Sequence, residues 1–199
     1  GETMDDPVRL YNLMQIKLNL LAIQWGAKGP VQQVIAGTDG ALWDAFARTK
    51  GVALGELLRG APISATYPVY ASGLGGGDVA SEIAMASSEG HKRFKFRISF
   101  GHERNTEILT QVNTAAGAAP VMVDANQTLT PSTLKALAAV IDGAQLEWLE
   151  EPFPADDAAS FDGWPYGLKT PLAFGENIYG RDSMMAAVAR WSPSVVQPD

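Results

Sequence analysis

Cysteine is absent from this 199-residue chain, and histidine occurs only twice. The first absence excludes disulfides and thiolate metal sites and fits a reducing compartment. The second leaves little for an imidazole-based metal centre of the kind that zinc enzymes, class II aldolases and metal-dependent hydrolases build. No apolar run approaches the roughly 18 residues a membrane span needs. Short stretches such as Leu20-Leu-Ala-Ile23 sit inside an amphipathic segment. Basic charge is scarce: 15 Lys and Arg stand against 22 Asp and Glu, for a net charge of −7. That is opposite to the footprint of a nucleic-acid binder. The N-terminal Gly1-Glu-Thr-Met-Asp-Asp6 is acidic where a secretory leader is basic. The expected location is the cytoplasm, with neither nucleic acid nor membrane as a partner, and the expected assembly is a homo-oligomer.

What is present is globular: 46% hydrophobic and 19% charged residues, enough for one sizeable domain and a small appendage. Asp5-Asp6-Pro7 is a helix start, with a carboxylate cap and a proline where no amide hydrogen is needed. Leu10, Leu13, Met14, Leu18 and Leu21 then recur at helical spacing. Gly26 to Pro30 interrupts the pattern, a second helical run covers about 31–50 and stops at Gly51, and a short helix ends at Gly60. From Thr66 the chain alternates between β-rich runs (67–71, 94–98, 121–124, 146–149, 172–174 and 195–197) and helical stretches at 79–88, 103–116, 131–141 and 181–190. Residues 155–166 are less regular. Strand–helix alternation without hairpin turns predicts parallel strands joined by helical crossovers.

Spacing sharpens that reading. Asp124, Glu150 and Glu176 each end or follow a predicted strand, 26 residues apart in both steps. A steady unit of that size predicts a (β/α) TIM-type barrel rather than a doubly wound sheet. About six βα units are present, and two more would need roughly 50 further residues, so the barrel is expected to be incomplete here. The expected division is 1–34, helical, and 35–199, a barrel domain cut after its sixth strand.

TIM-type barrels carry their active sites at the C-terminal ends of the strands. Three consecutive strands here deliver one carboxylate each to that rim, which is the oxygen ligand set Mg2+ prefers. Left without a cation, such a trio would repel itself. Of Glu150 and Glu151 only one is expected to point inward, because strand neighbours face opposite sides. Asp124 and Asn126 share a face, so Asn126 is expected to support the ion or contact substrate. Lys95 and Arg97 share the inward face of the second strand. Arg97 stays protonated and suits holding a carboxylate or enolate, and its charge is expected to depress the Lys95 pKa toward a value useful for proton transfer. Electrostatic neutralisation of the acids is the plainer role for both.

The pieces Ala36-Gly-Thr-Asp-Gly-Ala-Leu-Trp-Asp44, Lys95-Phe-Arg97, Val123-Asp124-Ala-Asn126, Trp148-Leu-Glu150-Glu-Pro152, Gly175-Glu176-Asn177 and Pro198-Asp199, in this order and spacing, resemble the enolase superfamily. The branch is the one containing mandelate racemase and muconate lactonizing enzyme. The resemblance implies that residues 1–34 end an α+β capping domain. It implies Mg2+ on Asp124, Glu150 and Glu176, holding a small-molecule substrate carboxylate while an enediolate forms. It gives Asp199 the role of orienting a histidine base on a following strand. The family often has lysine where Arg97 stands, which disfavours two-base racemisation. Dehydration of a sugar-derived hydroxy acid is the expected reaction, ahead of racemisation, epimerisation or cycloisomerisation, with a non-catalytic barrel as the rival from another class.

Other features are weaker. His91 is expected at the far end of the barrel, and His102 opens a helix near the rim. Gly73-Leu-Gly-Gly-Gly77 lacks a nucleotide-binding pattern and is expected to be a mobile loop over the site.

Overall fold

The computed structural model describes residues 5–63 and 66–198. The chain divides into two compact units, 1–67 and 68–199. Residues 34 and 35, where the sequence placed a boundary, are consecutive in one helix of the first unit.

In the first unit, α1 (Pro7–Gln24) is capped by Asp6, whose Oδ1 accepts the Arg9 amide at 2.9 Å. The helix α2 (Lys28–Lys50) begins sooner than the sequence suggested, because proline is tolerated in a first helical turn and Pro30 sits there. Gly51 ends it in a left-handed conformation with φ 68°. α1 and α2 pack together, with the Gln15 and Gln32 amides exchanging hydrogen bonds at 2.8 and 3.0 Å. The short α3 (Leu54–Arg59) closes the unit.

The second unit is a parallel sheet wound in sequence order. Its strands are β1 (Ala71–Leu74), β2 (Phe94–Arg97), β3 (Val121–Asp124), β4 (Leu149–Glu150), β5 (Leu172–Phe174) and β6 (Val195–Val196), each hydrogen-bonded to the next. The crossovers carry α4 (Val79–Ser88), α5 (His102–Ala116), α6 (Pro131–Gly143), α7 (Ala158–Asp162) and α8 (Arg181–Trp191). Sequential parallel order with helical crossovers is the architecture of a partial (β/α) barrel. β1 begins four residues later than expected. Tyr67-Pro-Val-Tyr70 has strand-like composition, but pairing with β2 starts only at Ala71, opposite Phe94.

Strand alternation places the core. Phe94 and Phe96 on one face of β2 and Ile98 just after it are almost fully buried, as are Ile108, Leu109 and Val112 of α5 and Leu134, Leu137 and Ile141 of α6. Phe161 stacks on Trp191 with centroids 4.8 Å apart and meets Phe153 and Phe174 edge-on, tying α7 and α8 to the sheet. Among the described residues no helix is long and apolar enough to cross a membrane.

Phe96 is 0% exposed whereas Met85 is 58% exposed. Phe96→Ala is therefore expected to cost about 3–5 kcal/mol in chemical denaturation, and Met85→Ala less than about 0.5 kcal/mol.

Candidate metal centre

The parallel register sets Arg97 of β2, Asp124 of β3 and Glu150 of β4 abreast at the C-terminal rim. Two residues earlier on β2, the buried Lys95 ammonium lies between the two acids, 3.1 Å from Asp124 Oδ2 and 2.7 Å from Glu150 Oε1. Its fourth-strand partner is held elsewhere as well. Trp148 Nε1 and Gln197 Nε2 donate to Glu150 Oε2 at 3.2 and 2.8 Å. The Tyr70 ring lies edge-on to Trp148 and has the Lys95 ammonium 5.9 Å from its centre. The pieces are thus assembled from four different strand ends, as barrel sites are.

The expected depression of Lys95 does not occur. Burial presses its pKa down, but the hydrogen bonds and charges of Glu150 and Asp124 outweigh burial and leave it raised. The physical reason is position: Lys95 faces two carboxylates, while Arg97 at the strand end is exposed. Among the described residues Arg97 makes no side-chain hydrogen bond or ion pair. Lys95 is therefore a fixed cation at neutral pH and cannot take up a proton.

The Glu150–Glu151 pair also departs from expectation. Both are buried, at 1% and 2% exposure. β4 ends at Glu150, and Glu151 has φ 39°, so strand alternation no longer governs where its side chain goes. Asn177 Nδ2 donates to both Glu151 carboxylate oxygens, at 3.0 and 2.8 Å, and lies 3.4 Å from Glu176 Oε1. Burial pushes the Glu151 carboxyl up to about 7; Asn177 opposes this, and the charges of Glu176, Asp124 and Glu150 add to it. Four carboxylates thus share the rim rather than the three the spacing pointed to. Glu151, Asn177 and Trp148 stand within the family-like motifs but, like Gln197, are given no role at the rim by the sequence.

Asn126 follows β3 with φ 42°; its amide donates to Asp124 Oδ1 at 2.8 Å, and its own Oδ1 is buried without a hydrogen-bond partner. Gln197 Oε1 is likewise buried and unpartnered. Asp199 lies outside the described residues. His102 is the first residue of α5 and is exposed. The glycine-rich loop after β1 is tied down rather than loose. Glu82 accepts the Gly75 and Gly77 amides at 2.7 and 2.9 Å, and Arg104 donates to the Gly75 and Gly77 carbonyls. A side chain at Gly75 would meet the Arg97 carbonyl oxygen at 2.7 Å, so this close packing needs glycine.

The candidate donors to a cation are all oxygens, the carboxylates of Asp124, Glu150 and Glu176, and the buried, unpartnered Asn126 Oδ1 follows β3. That set fits Mg2+ and excludes soft-metal ligation. Among the described residues no three acids already converge as a metal cage, and the Lys95 ammonium holds the place between Asp124 and Glu150.

A carboxyl pushed up from 4.5 to about 7 binds a proton in the folded state that the unfolded chain has lost. The metal-free protein should thus lose stability as pH rises from about 4.5 to 7, with Glu151 responsible for about 3 kcal/mol of the fall. Glu151→Gln should flatten that slope in urea denaturation measured across the window; an unchanged slope would contradict the assignment.

The enolase C-terminal domain-like family model matches residues 78–199. A D-galactarolactone cycloisomerase from Agrobacterium fabrum is 29% identical over 98% of this chain and 53% of its own length. An L-talarate/galactarate dehydratase from Salmonella typhimurium is 28% identical over the whole of this chain and 50% of its own. An o-succinylbenzoate synthase from Bacillus subtilis is 28% identical over 81% of this chain and 43% of its own. A solved mandelate racemase/muconate lactonizing enzyme from Bordetella bronchiseptica superposes with TM-score 0.89 at 36% identity, covering 98% of this chain and 53% of that one. A solved enolase from alpha proteobacterium bal199, with bound magnesium, superposes with TM-score 0.79 at 28% identity, covering all of this chain and 56% of that one. The chain spans about half the length of the relatives it matches. On the family match and this structural likeness, the chain belongs to the enolase superfamily, in its mandelate racemase and muconate lactonizing enzyme branch.

Proposed function

We propose that the whole protein removes the proton next to the carboxylate of a hydroxy acid, with Mg2+ held by Asp124, Glu150 and Glu176. The observation that carries this reading is the rim itself. Asp124 and Glu150, from two neighbouring strand ends, flank the buried Lys95 ammonium, and their charges together with that of Glu176 help to push Glu151 up to about 7. So concentrated an acidic site calls for a further cation. The bound magnesium of one structural relative supports the choice of ion.

A bound Mg2+ would supply positive charge against the substrate carboxylate as the neighbouring C–H bond breaks. The residues of the chain supply the rest. Lys95, whose pKa Glu150 and Asp124 raise against burial, suits stabilising negative charge on the substrate rather than removing its proton. Arg97, exposed at the end of β2, offers a forked donor for a second carboxylate or the developing oxyanion. Asn126 Oδ1 accepts a substrate hydroxyl hydrogen. Asp199, by the family resemblance, orients the histidine base, which sets its tautomer and raises its basicity.

The favoured overall reaction is dehydration. The α-proton leaves, the β-hydroxyl departs as water, and the enol tautomerises to a 2-keto-3-deoxy acid. Arg97 in place of a second lysine supports single-base chemistry, and a sugar-acid dehydratase stands among the relatives. The cycloisomerase relative supports isomerisation of the same sugar-acid class as the second reading.

The full-length gene product with Mg2+ in D2O, given a panel of hydroxy and sugar acids, should incorporate deuterium next to a carboxylate and form a keto acid visible by proton NMR. EDTA should abolish both, and Glu176→Gln should lower kcat/KM by about 100-fold or more. Lactone rearrangement without keto-acid formation would favour the cycloisomerase reading. Mg2+ binding with no exchange across a broad panel would overturn both.

A further inference from the structure

Gln197 stands two strands away from the acid it touches. Its backbone amide donates to the Phe174 carbonyl at 3.0 Å, which fixes it at the end of β6. Its Nε2 then reaches past β5 to Glu150 on β4. The strand it passes over presents Ala173, fully buried and in register with Glu150, so a methyl group is all that intervenes. The approach is so close that a side chain at Gly175 would meet the Gln197 backbone, 2.9 Å from its nitrogen, and only glycine fits.

The hydrogen bonds on Glu150 divide unequally between its oxygens. Oε2 takes two donors, Trp148 Nε1 at 3.2 Å and Gln197 Nε2 at 2.8 Å, and both of its lone pairs are used. Oε1 takes only Lys95 Nζ, at 2.7 Å, and keeps one lone pair. The carboxylate is 1% exposed, so no water stands ready to replace a donor that Oε2 gives up. Glu150 can therefore offer a cation one oxygen and not two. Mg2+ demands a compact octahedron and takes single carboxylate oxygens, whereas Ca2+ accepts more ligands and chelating carboxylates.

We propose that Gln197 is a positioning residue that, together with Trp148, restricts Glu150 to single-oxygen ligation and so favours Mg2+ over Ca2+. This rests on the metal-centre reading above. Removing either donor frees Oε2, lets the carboxylate turn toward chelation, and loosens the octahedral fit.

Calorimetric titration of the full-length gene product with Mg2+ and with Ca2+, in the absence of substrate, tests it. Gln197→Leu should weaken Mg2+ binding by about tenfold while Ca2+ binding holds or tightens, moving the ratio of the two dissociation constants toward Ca2+ by about tenfold or more. Trp148→Phe keeps a ring against Tyr70 but loses the N–H, so it should shift the ratio in the same direction. The double variant should shift it by less than the sum of the two, because both donors serve one oxygen. Melting of the metal-free variants verifies folding, and Trp148→Phe decides the matter if Gln197→Leu does not fold. Equal changes for both ions, or no change, would overturn the assignment of Gln197 while leaving the metal centre standing. A wild-type protein that binds neither ion would overturn the metal centre itself.

Discussion

The buried ammonium of Lys95 is the interaction on which the rest of the rim depends. Asp124 and Glu150 come abreast because β2, β3 and β4 pair in parallel register, and nothing in that register cares about their charge. Two carboxylates brought so close in a poorly hydrated setting repel each other and lose their water. Lys95, at 2.7 and 3.1 Å, offsets part of that cost and is itself kept charged by them. The arrangement contributes little net stability, since buried ion clusters seldom recover their full desolvation cost. Its consequence is electrostatic. Charge of fixed sign and position is present before any ligand arrives, which is the form of preorganisation that makes a site effective.

The second constraint is what happens where each strand stops. Asn126, Gln127 and Glu151 all have positive φ immediately after β3 or β4. Such conformations are costly for residues with side chains and persist where surrounding bonds hold them. Here the holding bonds run between neighbouring strand ends. The Gln127 amide donates to the Glu151 carbonyl at 2.8 Å, and Gln127 Oε1 accepts the Ala155 amide at 2.8 Å. The left-handed turn at Glu151 is what brings a fourth acid to the rim.

How far the sequence could be read follows from these two points. The 26-residue spacing of Asp124, Glu150 and Glu176 was legible because βα units of similar length repeat along the chain, although Glu176 lies two residues beyond the end of β5. β3 and β5 were legible to the residue because their apolar runs are bounded by clear turn residues. The start of β1 was not, since Tyr67-Pro-Val-Tyr70 has the composition of a strand without a partner to pair with. The raised Lys95 was missed because Arg97 is its neighbour in sequence while Asp124 and Glu150 are its neighbours in space. Glu151 was misjudged because alternation is a rule for strands, and Glu151 is already outside one.

A common thread explains why the site exceeds its motifs. Lys95 on β2 holds acids on β3 and β4, Asn177 after β5 holds Glu151 after β4, and Gln197 after β6 holds Glu150 on β4. In each case the positioning group comes from a different strand than the group it positions, 26 to 55 residues away in the chain. A motif names residues along one strand end, so it captures the acids and loses what aims them. The aiming groups are neutral amides as often as they are charges. They carry no sequence signature beyond their place at a strand end, and only the closeness of successive parallel strands converts that place into a contact. The chemistry of the rim is therefore written in the spacing of the strands, while its precision resides in the pairing between them.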